Sequence, residues 1–109
     1  MAKYLIEASY SQMGLKALVK DGGTGRKKVV EAAVKALGGH VDSMYFAFGT
    51  SDIYAIVDAP DNITVAAFAL AVGGTGIAAH LKTVVLLTPE EVDQAAKKSA
   101  SSGYRAPGG

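Results

Sequence analysis

The chain has 109 residues, half of them apolar and 19% charged, with eleven basic against ten acidic side chains for a net charge of +1. That length holds one domain, and the apolar share is enough to build a core, which excludes an intrinsically disordered chain. The even charge lacks the concentrated basic face of a nucleic-acid binder, and the absence of cysteine excludes a disulfide framework, thiolate metal sites and a cysteine nucleophile.

Lys3 to Tyr10 alternates, with Tyr4, Ile6, Ala8 and Tyr10 on one side and Leu5, Glu7 and Ser9 on the other, and predicts a strand. Ser11 can cap a short helix carrying Leu15, Leu18 and Val19 that stops at Asp21-Gly22-Gly23. A second helical piece starts near Thr24, with Val30, Val34 and Leu37 on one stripe and Gly38-Gly39 at its end. His40 to Phe48 and Ser51 to Ala59 alternate again, and Gly49-Thr50 between them predicts a short antiparallel hairpin.

Asp61 can cap an alanine-rich helix, Asn62 onward, that closes at Gly73-Gly74-Thr75-Gly76, and His80 to Leu87 reads as a fourth strand. Thr88-Pro89-Glu90-Glu91 has the cap, the proline and the glutamate of a helix start. The expected organisation is one domain over residues 1–98 and a flexible tail over 99–109.

Glu7 interrupts the only apolar stretch of the N-terminus, and Gly73, Gly74 and Gly76 break the long uncharged run from Asn62. A cytoplasmic protein without a membrane partner is expected.

The order β-α-β-β-α-β is the ferredoxin-like pattern, an α+β class with an antiparallel sheet, helices on one face and here an extra C-terminal helix. The face turned away from the helices needs a cover. A chain of this size has no spare element for it beyond that last helix, so a homo-oligomer is expected.

Several residues in that order resemble GYD-domain proteins. Tyr10-Ser11-Gln12-Met13-Gly14 resembles their first strand end and helix opening, Arg26 their arginine, and Gly38-Gly39 their helix end. Tyr45 to Gly49 resembles their aromatic strand, and Ala59-Pro60-Asp61 the exit of their third strand. Gly49 and Asp52 keep two positions of the naming motif, with Ser51 where tyrosine is expected. The resemblance spans about Lys3 to Glu91 and implies a dimeric α+β barrel of two ferredoxin-like subunits packed sheet to sheet. It implies no established reaction.

Asp52 opens the third strand and reads either as an acid, base or ligand anchor or as a turn residue accepting backbone N–H bonds. Strand parity puts Tyr54, Ile56 and Asp58 on its face and Ile53, Ala55 and Val57 on the face toward the helices. Asp52 and Asp58 are then about 20 Å apart, too far to act on one bond. Glu7 would look the same way, with Arg26 either its partner or a solvated first-turn residue.

His40 and His80 sit at strand starts with no metal-ligand spacing, so no metal and no cofactor is expected. The Gly22–Gly25 cluster has neither phosphate-loop nor dinucleotide spacing. Tyr10, Tyr45, Tyr54, Phe46 and Phe48 supply aromatic surface for a core, an interface or an apolar pocket. The favoured function is binding of a small organic molecule in an apolar cleft, between sheet and helices or between subunits. Fold-level analogy adds a cofactor-independent oxygenase, isomerase or cyclase step. Asp52, Tyr54, Glu7 and Tyr45 are the candidate ligand residues, and the rival is a non-catalytic assembly or regulatory module.

Overall fold

The computed structural model describes residues 1–108. Its elements are β1 (Ala2–Tyr10), α1 (Gln12–Ala36), β2 (His40–Phe46), β3 (Ile53–Ala59), α2 (Asn62–Gly73), β4 (Ala78–Leu86) and α3 (Pro89–Ser99), followed by a 3₁₀ turn at Ala100–Ser102. The sheet runs β2-β3-β1-β4, and every neighbouring pair is antiparallel. This is the ferredoxin-like α+β order that the sequence predicts.

The buried side of the sheet follows the alternation of β1 and β3. Tyr4, Ile6, Ala8, Ile53, Ala55, Val57 and Ala59 are buried together with Val34 of α1 and Val65 and Phe68 of α2. Small residues at Ala8, Ala55 and Ala59 let the helices approach the sheet. The other side carries Leu5, Glu7, Tyr54 and Ile56, all only partly covered.

The caps read from the sequence are all made. Ser11 Oγ accepts from the Gly14 amide at 3.2 Å, Asp61 Oδ1 from the Thr64 amide at 2.8 Å, and Thr88 with Glu91 forms a capping box. The two helical pieces of the first crossover appear as one long α1, kinked at Gly22, which alone departs from helical geometry at φ 76° and ψ 164°.

Two expectations are corrected. The β2–β3 connection is a six-residue loop, 47–52, rather than a tight turn at Gly49-Thr50. The Ala47 amide donates to the Asp52 carbonyl and the Asp52 amide to the Ala8 carbonyl, each at 2.8 Å, so Asp52 adds one bond to the hairpin and is also tied to the end of β1. The last helix does not serve as a cover: α3 packs on the 3₁₀ turn that follows it and buries none of its residues. Its sequence is too polar to lie on an apolar sheet face, since Val92 is its one large apolar residue.

Candidate functional site

Two surfaces can hold chemistry, one on each side of the sheet. On the open side, register aligns the predicted residues: Tyr45 lies opposite Tyr54, Tyr54 opposite Glu7, and Glu7 opposite Lys82. Three of the four candidates therefore form one row across β2, β3 and β1, with Tyr45 71% exposed at its end. Next to that row run Ile56, Leu5 and Val84, an apolar strip.

Asp52 is not in the row. Its Oδ2 accepts from the Tyr10 amide at 2.8 Å, and it lines a shallow groove with Leu15, Leu18, Phe46 and Phe48 under the first half of α1. Such a carboxylate is held by backbone at the end of β1.

At the far end of the open side, Asp58 is buried although strand parity turns it away from the helices. His40 Nε2 lies 2.9 Å from its Oδ2, and Lys3 Nζ lies 2.9 Å from its Oδ1 and 3.4 Å from Asp42 Oδ2. The hydrogen bond to Asp58 raises Lys3 above its ordinary value. Neither histidine has an adjacent acid in sequence, Asp42 being two residues beyond His40; the β2–β3 register brings His40 opposite Asp58. The donor atoms of His40, Asp42 and Asp58 lie within 4.8 Å of one another, as a metal would require. The cation that answers both carboxylates, however, is the chain's own Lys3.

Beneath the helices the sheet encloses a cavity of about 90 Å³ whose floor is Ile6, Ala8, Ile53 and Ala55 and whose walls are Val30, Ala33, Phe68 and Val72. It opens into a groove of about 470 Å³ between α1 and α2, with Arg26, Val29, Phe68 and Ile77 lining both. The groove exists because α1 and α2 each pack on the sheet and do not pack closely on each other.

Two polar side chains enter the cavity, Tyr10 and Arg26. Tyr10 continues the buried parity of β1, and burial raises its phenol above the ordinary value, with the neighbouring Arg26 guanidinium opposing. Arg26 is on neither of the expected footings. Its side chain is only 14% exposed, so it is not solvated, and it stands on the helix side of the sheet while Glu7 stands on the other. Its Nη1 reaches Asp21 Oδ2 at 3.3 Å across the kink, and its buried Nε has no partner.

Sequence reasoning missed Arg26 although a signal was present. Stepping back by four from Val34 gives Val30 and then Arg26, which places the arginine on the stripe that faces the sheet.

The GYD domain family model matches residues 4–96. No curated protein matches the chain in sequence. Among solved structures, the 5-chloro-2-hydroxyhydroquinone dehydrochlorinase (TftG) from Burkholderia phenoliruptrix AC1100, in complex with 2,5-dihydroxybenzoquinone, is similar at 13% identity and a TM-score of 0.55, over 81% of this chain and 96% of its own. FFRP-DM1 is similar at 14% identity and a TM-score of 0.52, over 80% of this chain and 100% of its own. At such identities the likeness is one of fold. Among the described residues, no helix is long and apolar enough to cross a membrane.

Proposed function

The chain belongs to the GYD-domain family, and from that premise we propose that it binds a small organic molecule in the cavity between sheet and helices and works as a dimer. One observation carries this reading: an apolar cavity with only two polar side chains, both largely withdrawn from water, one of which, Arg26, also lines the open groove. Pockets for small organic ligands have this make-up, apolar walls with a few placed polar groups. The enclosed part is smaller than the roughly 150 Å³ that holds a benzene, so a ligand would seat one end there and extend into the groove. The dehydrochlorinase of similar fold, solved with a small quinone, supports the same reading.

The open side is read as the dimer surface. Tyr45, Tyr54 and Glu7 with Lys82 would then meet a second copy, and the strip of Leu5, Ile56 and Val84 supplies the apolar area that a stable interface needs. Asp52 is read as a positioning group that ties the β2–β3 loop to β1 and borders the first half of α1. An oxygenase, isomerase or cyclase step would have to run on Tyr10, the one acid–base group lining the cavity.

Native mass spectrometry of gently purified protein tests the binding reading. A discrete adduct that leaves on mild activation is expected, with a mass in the range of a small metabolite. A bare protein mass, together with no thermal stabilisation by a panel of small aromatic and alicyclic compounds, would contradict it.

A further inference from the structure

Arginine cannot shed its charge in a protein, so a guanidinium drawn into an apolar cavity must be answered by an anion or by hydrogen-bond acceptors. At Arg26 the answer is incomplete. Asp21 meets one of the five N–H donors, at 3.3 Å, and that carboxylate is itself 38% exposed and therefore shared with water, while the Tyr10 phenol oxygen accepts from another. The Nε–H is buried and unmet. The other groups around the guanidinium are aliphatic or aromatic, apart from the Tyr10 phenol.

We propose that the molecule taken by this cavity is a small organic anion, a carboxylate or phenolate on a flat apolar body, with Arg26 as its charge partner. The inference rests on the binding role proposed above for the same cavity and names the ligand class. A carboxylate supplies the acceptors that the guanidinium fork is shaped to take, one of them for the orphaned Nε–H. Tyr10 gives the same anion a hydroxyl donor. Burial and the Asp52 and Asp21 carboxylates keep that phenol protonated at neutral pH, against the pull of Arg26.

A phosphate monoester fits poorly, because its three oxygens would find one guanidinium and one hydroxyl among the lining side chains. The body of the ligand is set by the walls. Ala8, Ala55 and Ala33 leave room beside the sheet, and Phe68 offers a ring to an aromatic ligand. Asp21 then acts as a stand-in anion: it holds Arg26 in the empty protein and competes with the ligand for it.

The test is calorimetric titration of the full chain with benzoate and with benzyl alcohol, a neutral molecule of the same size, repeated on Arg26→Met and Asp21→Asn. Wild-type protein should bind benzoate at least tenfold more tightly than benzyl alcohol, and Arg26→Met should abolish that preference while still binding the alcohol. Asp21→Asn should tighten benzoate severalfold and leave the alcohol unchanged, which a merely structural Asp21–Arg26 pair would not do. Equal binding of the two probes by the wild type, or a preference that survives Arg26→Met, would overturn the anion inference and leave the cavity reading intact. No binding of either probe by a folded wild-type protein would overturn both.

Discussion

Gly14 shows how closely single residues fix this structure. A Cβ there would run into the Ile77 carbonyl oxygen and lie 2.6 Å from the Tyr10 ring. The same carbonyl takes the Ser11 amide at 2.8 Å and the Ser11 hydroxyl at 2.9 Å, so the start of α1 is fastened to the entry of β4. Gly14→Ala should therefore cost on the order of 2 kcal/mol or more, read from urea denaturation midpoints. An unchanged midpoint would show that this contact is not maintained in solution. Tyr10 offers a second test at this scale. Because burial raises its folded-state value above the ordinary 10.0, its contribution is fully present below that value and is lost as pH rises through the higher folded value. Stability should fall in alkali above about pH 10, and Tyr10→Phe should flatten that fall in a pH series of thermal melts. A fall of the same steepness in the variant would assign it to other groups.

The elements were legible where periodicity and caps agree, and illegible where register decides. The parity of Ile53, Ala55 and Val57 against Tyr54 and Ile56 is as the sequence predicts, because β3 carries no bulge against β1. The pairing of His40 with Asp58 could not be read, since it depends on the length of the 47–52 loop and on a register shift between Val41 and Ser43. The inward turn of Arg26 was legible from the Val34–Val30 stripe of its own helical piece, but its place just after the break at Gly22 made it read as a solvated first-turn residue. That break is itself testable. Gly22 has φ 76°, and a Cβ there would meet nothing within 4 Å, so alanine is opposed by backbone conformation alone. Gly22→Ala should cost about 1–3 kcal/mol, again from denaturation midpoints. A neutral or stabilising effect would mean that α1 straightens through this position.

At the scale of the molecule, the chain is longer than a compact domain of its size. The radius of gyration is 17.2 Å with a longest extent of 58 Å, against about 13 Å for an ordinary globule of this length. α3 packs on the 3₁₀ turn that follows it, and Val85, Leu87 and Val92 are at least half exposed. On the open side, the strip of Leu5, Ile56 and Val84 is the apolar surface that the proposed self-association would cover, whereas Val85, opposite Tyr4, lies on the helix side. Light scattering at micromolar concentration should give a dimer or a larger even-numbered assembly, and a monomeric mass would contradict the proposed interface. The residues beyond the domain expected over 1–98 are a separate matter. Deleting 99–109, of which Gly109 lies outside the described residues, removes a polar segment in which Tyr104 is 81% exposed. The melting temperature should move by no more than about 2 °C, less than the shift expected for 1 kcal/mol in a domain of this size. A larger drop would place the segment against a neighbouring surface.

The proposed ligand enters on the helix side of the sheet and not on the open side. A methyl-resolved NMR titration with benzoate reads that directly, because methyl-bearing residues line both sides. Saturable shifts at Ala8, Ala55, Val30 and Val72, with Leu5, Ile56 and Val84 unmoved, are the predicted result. Shifts confined to Leu5, Ile56 and Val84 would move the site to the open face, and no saturable shift at either set would leave the cavity without a ligand of this class.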